Sequence, residues 1–233
     1  MNTRTTVILM TGLLLLATSL FADEIPIING SFEDTTGVSF LSCAPPSPCQ
    51  YSVGPFPGWL TSGVTASGLL QPGPPTNQTL FSFVPDGMTT AYDTGGTILS
   101  ETVGATVVDG FIYTMTVQLG SRFDFGFGSS ADVLLSGPGG NVIVPATGTP
   151  PVPGGWSEFT ATFTGSPATA GDSITIQLNN SGGIQGNFDD VHLSFVPEPG
   201  YVGLLGLGLA GLLAIRLNIA YFSRRRTADD CQQ

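Results

Sequence analysis

Four stretches of the chain alternate apolar and polar residues with a period of two. Tyr113, Met115, Val117 and Leu119 fall on one phase, with Thr114, Thr116 and Gln118 on the other. Phe159, Ala161 and Phe163 alternate with Thr160, Thr162 and Thr164. Ile174, Ile176 and Leu178 alternate with Thr175 and Gln177, and Val191, Leu193 and Phe195 with His192 and Ser194. Successive side chains of a strand point to opposite faces, so each stretch predicts a strand with one buried face. Threonine and β-branched residues suit that half-exposed surface. No stretch from 23 to 195 carries a 3.6-residue period, and 32 glycines and 18 prolines punctuate the chain. The expectation is an all-β fold, a two-sheet antiparallel jelly-roll sandwich over residues 23–195.

Two apolar stretches flank this segment. Arg4 and the free amine precede a mostly apolar run from Val7 to Leu20, and Ala22 is a small residue suited to precede a cut. This predicts a signal peptide over residues 1–22. At the other end, Tyr201 to Phe222 would span roughly 33 Å as a helix, enough for a hydrocarbon core of about 30 Å. Arg216 interrupts its second half, where an arginine can snorkel to the headgroups. Arg224, Arg225 and Arg226 follow and should stay on the cytoplasmic side, leaving residues 227–233 as a short cytoplasmic tail. The sandwich would then lie outside the inner membrane, held by a C-terminal transmembrane helix.

The order of features over residues 196–226 is specific. Val196, Pro197, Glu198 and Pro199 come first, then the Gly/Leu-rich span, then the arginine cluster. This order resembles the PEP-CTERM sorting signal of Gram-negative bacteria. The resemblance implies an exosortase-type membrane transpeptidase as a partner. It also implies an exported protein that is membrane-anchored, cell-surface or secreted after processing.

Charge narrows the partners. From Asp23 to Glu198 the chain carries fifteen acids and a single basic side chain, Arg122, and there is no lysine anywhere. Nucleic acid is excluded as a partner, because nothing would neutralise its phosphates. Cations, neutral sugars and basic surfaces remain. Cys43 and Cys49 bracket Ala44-Pro45-Pro46-Ser47-Pro48, and in an oxidising compartment they are expected to pair.

The ends of the predicted sandwich carry a second resemblance. Ile28-Asn29-Gly30-Ser31-Phe32-Glu33 opens it, Pro57-Gly58-Trp59 follows, and Asn187-Phe188-Asp189-Asp190-Val191-His192-Leu193 closes it. These motifs resemble galactose-binding-like jelly rolls, the fold of many carbohydrate-binding modules. The resemblance implies adjacent first and last strands bridged by one structural Ca2+, with Glu33 and Asp189 at the ligand positions. Asp189 shares the phase of Val191, Leu193 and Phe195, so it is expected to point inward, where an unpaired charge is costly. Either a hard cation or backbone amides would satisfy it.

No catalytic constellation stands out. His192 is the single histidine and sits mid-strand, without a nucleophile elbow, a paired metal ligand or a phosphate loop nearby. The sequence therefore predicts a protein that is not an enzyme. Its expected function is binding of carbohydrate, an extracellular polysaccharide, with Trp59, Tyr92, Phe123 and Phe125 as candidate stacking platforms. The alternative is a structural component of the matrix or envelope without a discrete ligand pocket.

Overall fold

The computed structural model describes residues 22–63, 66–73, 79–180, 182, 184–198, 208 and 211. The chain divides into two units, one of residues 21–196 and one of the two termini. The predicted signal peptide, the membrane span, Pro199 and the arginine cluster lie outside the described residues, Ala22, Gly208 and Gly211 apart. Among the described residues no helix is long and apolar enough to cross a membrane.

The larger unit is built from two antiparallel sheets. The larger sheet has the order β11 (Thr147–Gly148), β12 (Trp156–Thr164), β8 (Phe111–Gly120), β14 (Gln185–Pro197), β6 (Thr90–Thr94), β5 (Ser67–Gln71), β3 (Gln50–Tyr51) and β2 (Leu41–Ser42). The short β1 (Asp23–Glu24) also pairs with β14. The smaller sheet runs β10 (Gly140–Pro145), β9 (Ser129–Gly137), β13 (Ser173–Asn180), β7 (Thr97–Thr106) and β4 (Leu60–Gly63). All four predicted strands are present, as β8, β12, β13 and β14.

One apolar layer holds the sheets together. The larger sheet contributes Tyr113, Met115, Val117, Phe188 and Leu193, and the smaller contributes Leu99, Val133, Ile174, Ile176 and Leu178. The β8–β12 register sets Tyr113 opposite Phe163, and their rings stack at 4.8 Å. It also sets Thr116 opposite Thr160 and Thr114 opposite Thr162 on the other face. Burying a side chain the size of Ile176 contributes about 1.5–3 kcal/mol, so this layer is the dominant stabilising term.

The alternation fails at one place. Phe188 and Val191 both belong to the core, so two residues stand where the pleat has room for one. Asp190 absorbs the extra residue in a left-handed conformation, at φ 52. Asp189 therefore does not share the phase of Val191, as the sequence had suggested. Alternation from Phe188 turns it to the opposite face of the larger sheet. It is nonetheless fully buried there, because the chain around Asp86 covers it.

A second, smaller core forms on that opposite face. Cys49, Leu70, Leu80, Phe81, Tyr92 and Trp156 pack together. Trp156 lies over Gly120, whose register partner it is; a Cβ at 120 would stand 2.7 Å from its ring. The indole N–H donates to the Phe83 carbonyl at 2.9 Å, tying the segment around Phe83 to the sheet.

Candidate active site

The outer face of the larger sheet carries a pocket of about 650 Å³. Its sheet residues are Tyr51, Leu70, Tyr92, Thr94 and Gln185, from strands β3, β5, β6 and β14. The loop closed by the Cys43–Cys49 disulfide lines it too, through Cys43, Ala44, Pro46, Ser47 and Cys49. Thr79 and Leu80 also line it, and Ser47 and Thr79 share a hydroxyl–hydroxyl bond at 3.0 Å. The expected disulfide is thus present and helps shape a pocket, a role the sequence did not suggest.

The pocket is mostly apolar with a few fixed polar groups. The buried Tyr92 hydroxyl donates to the Ser52 carbonyl at 2.8 Å. Burial, helped by the neighbouring Tyr51, pushes this phenol up to about 12, so it stays neutral. Arg122 grips Asp124 through two nitrogens, at 2.9 and 2.7 Å, and donates a third bond to Gln185 Oε1 at 2.6 Å. Its guanidinium also sits 4.2 Å from the Phe125 ring centre. Partial burial pushes the Asp124 carboxyl up, but the hydrogen bonds and charge of Arg122 outweigh it and hold the group below the usual range. Asp124 is therefore a carboxylate, not a proton donor.

The candidate platform residues scatter. Trp59 is 1% exposed and packs on Phe32 at 5.3 Å, so it offers no ring face to a sugar. Its ring N–H donates to the Asn29 carbonyl at 3.3 Å. Tyr92 lines the pocket but is buried. Phe123 is exposed outside the pocket, and Phe125 lies against Arg122.

Glu33 and Asp189 converge on one loop. Glu33 Oε1 accepts the amides of Met88 and Thr89, at 2.8 and 2.6 Å. Asp189 accepts the amides of Asp86 and Asp190, at 3.0 and 2.8 Å. Gly87 between them has φ +63, and a Cβ there would lie 2.3 Å from the Glu33 carboxyl carbon. Burial pushes Asp189 up to about 8, and the charges of Asp190 and Asp86 add to the rise. Among the described residues no group of three His, Cys, Asp or Glu side chains is arranged to hold a metal.

Two further carboxyls turn into the sandwich. Glu101 sits on the apolar phase of β7, is 4% exposed, and accepts the Ile28 amide at 2.7 Å. Its second oxygen has no partner, and burial pushes the group up to about 7. Asp93 is fully buried and also raised to about 7 by burial. The amides of Gly186 and Asn180 approach it, but outside hydrogen-bond geometry.

The sequence profile of the HpiC1-like family, described as HpiC1 cyclase, matches residues 23–194. The chain belongs to the HpiC1-like family. A cyclase from Fischerella sp. TAU, solved with 4-(1H-indol-3-yl)butan-2-one, superimposes with a TM-score of 0.60 at 22% identity. That match covers 76% of this chain and 99% of the other. A Stig cyclase, Fisc, from the same organism matches with a TM-score of 0.57 at 21% identity, over 76% of this chain and 100% of that one. The CBM22-1 xylan-binding domain from Paenibacillus barcinonensis follows at 0.45 and 11% identity, over 62% of this chain and 89% of its own, too remote to carry an argument. No curated protein matches. These findings overturn the expectation that the protein is not an enzyme: its family is named for a cyclase, and cyclases share its fold. The sequence misled because the pocket contains none of the recognised hydrolytic or metal motifs.

Proposed function

We propose that the protein is a cyclase that folds an apolar, ring-bearing small molecule inside the pocket on the outer face of the larger sheet. One observation carries this reading: a pocket of about 650 Å³ with largely aliphatic and tyrosine walls and a single fixed polar cluster, Arg122–Asp124–Gln185. Such a cavity suits a drug-sized apolar ligand. Ring closure gains most from holding the two reacting ends together, which these walls can do without a charged nucleophile. The Tyr51 and Tyr92 rings would face positive charge developing on carbon. Family membership supports the reaction class.

The test uses 4-(1H-indol-3-yl)butan-2-one, the ligand of one solved cyclase. It should quench the protein's intrinsic fluorescence on titration, and Leu70→Trp, which fills the pocket, should abolish binding. Indoles bearing unsaturated side chains should then give products of unchanged mass and shifted retention. Full binding by Leu70→Trp would refute the pocket assignment.

Export and a bound cation belong to the same reading. The Cys43–Cys49 disulfide supports an oxidising compartment, in line with the sorting signal and exosortase partner that residues 196–226 suggest. Asp189, with the charges of Asp86 and Asp190 acting on it, and Glu33 across the Gly87 turn are the two carboxyls offered to a hard cation such as Ca2+, which would need backbone carbonyls to complete its shell. Adding Ca2+ after exhaustive EDTA treatment should raise the melting temperature; an unchanged melt would remove the cation. Sugar binding at the exposed Phe123 is the second reading, and a pull-down with extracellular polysaccharide that survives Phe123→Ala would end it.

A further inference from the structure

We infer that Gln185, held in one orientation by Arg122, is the group that selects ligands carrying a neutral hydrogen-bond acceptor. The inference rests on the pocket reading above. Arg122 Nη1 lies 2.6 Å from the Gln185 amide oxygen. A guanidinium has five N–H donors and no acceptor, so only Oε1 can face it. That contact removes the usual ambiguity of an amide side chain. The NH2 end is turned away from Arg122, and it has no hydrogen-bond partner among the described residues.

Arg122 is itself fixed. Its Nε and Nη2 hold both oxygens of Asp124, and the ring of Phe125 lies against its face. Its side chain is only 12% exposed, so it cannot easily swing away. Gln185 is 7% exposed and lines the pocket. The cluster thus turns the domain's one cation into a neutral, directed donor at the pocket wall. Two of the competing polar groups are committed, the Tyr92 hydroxyl donating to Ser52 and the Asp124 oxygens accepting from Arg122, whereas the Ser47–Thr79 pair keeps one hydroxyl that can donate or accept and so does not discriminate. The Tyr51 hydroxyl can both donate and accept, so it does not discriminate.

The ligand class follows. It is an apolar, ring-bearing molecule with a carbonyl or imine-type lone pair placed to meet the Gln185 NH2. A carboxylate is disfavoured, because Asp124 already neutralises Arg122 and the surrounding domain is strongly acidic. A hydrocarbon analogue would leave the amide hydrogens buried without a partner.

The experiment compares 4-(1H-indol-3-yl)butan-2-one with 3-butylindole, which lacks the carbonyl, by calorimetry on the wild-type chain, Gln185→Leu, Gln185→Glu and Arg122→Met. The wild type should favour the ketone by roughly threefold to tenfold, the worth of one neutral hydrogen bond. Gln185→Leu removes the donor. Gln185→Glu keeps the contact with Arg122 but offers no N–H. Both should bring the ratio below about twofold while still binding 3-butylindole, and Arg122→Met, which frees the amide to rotate, should lower the ratio towards theirs. Should Gln185→Leu fail to fold, Gln185→Glu carries the test alone. Equal binding of both compounds by the wild type, or a preference surviving in Gln185→Glu, overturns the role of Gln185 and leaves the pocket reading standing. Binding of neither compound overturns both.

Discussion

Replacing Glu101 by glutamine isolates the energetic consequence of a carboxyl pointing into the sandwich. The side chain occupies an apolar-phase position on β7, with one oxygen bonded to the Ile28 amide and the other without a partner. Burial raises it from its ordinary 4.5 to about 7. The folded protein therefore binds this proton more tightly than the unfolded chain does. Stability from this group is fully present below about pH 4.5 and is lost as pH rises towards 7. At about 1.4 kcal/mol per pH unit of difference, the loss amounts to at most about 3 kcal/mol. Glutamine keeps the acceptor for Ile28 and never ionises, although its NH2 group brings a cost of its own that does not change with pH. The prediction is thus about the change between two conditions. In urea unfolding, Glu101→Gln minus wild type should be more favourable at pH 8 than at pH 4.5 by up to about 3 kcal/mol. In melting temperature this is about 6–12 °C for a domain of this size. Asp93 and Asp189 titrate in both proteins, so their contributions cancel. A stability difference that is the same at both pH values would refute the account of Glu101 as a buried, destabilising carboxylate.

Two other substitutions probe the site's supports. Gly87→Ala places a methyl against the Glu33 carboxyl at a positive φ, and should cost about 1–3 kcal/mol in thermal unfolding; an unchanged melting temperature would show that the turn is not held as described. Cys43→Ser with Cys49→Ser closes no loop, and since only a short loop is released it should cost less than about 3 kcal/mol. The same variant should weaken binding of the indole ketone several-fold, because the loop lines the pocket; unaltered affinity would detach the loop from the site.

The parts of the fold visible in the sequence are those with an uninterrupted pleat. The phases of β8, β12 and β13 carry straight through to the buried faces, because no extra residue breaks them. Asp189 was misread for the opposite reason. Its phase was counted back from Val191 across the left-handed Asp190, and one additional residue reverses every side chain upstream of it. Trp59 was misread because an aromatic in a Pro-Gly turn resembles a surface platform, whereas this one is 1% exposed and packs on Phe32. Tyr92 is a pocket residue in both views, but buried and hydrogen-bonded. The pocket as a whole was not legible. It joins the outer face of β5 and β6 to a loop some twenty residues upstream and to Arg122 and Gln185 further on, and no local pattern encodes that meeting. Glu101 was the readable clue that went unused, an acid on the apolar phase of β7.

The place of β14 in the larger sheet has a consequence for biosynthesis. It is the last strand of the sandwich to leave the ribosome, yet it stands between β8 and β6 as a keystone and also receives β1 from the chain's beginning. Until residues 185–197 have emerged, the two halves of that sheet have no strand to join them, so its closure waits on pairings across almost the whole domain. Such closure is slow compared with local pairing. Any premature stop before Gln185 would leave an arch without its central stone.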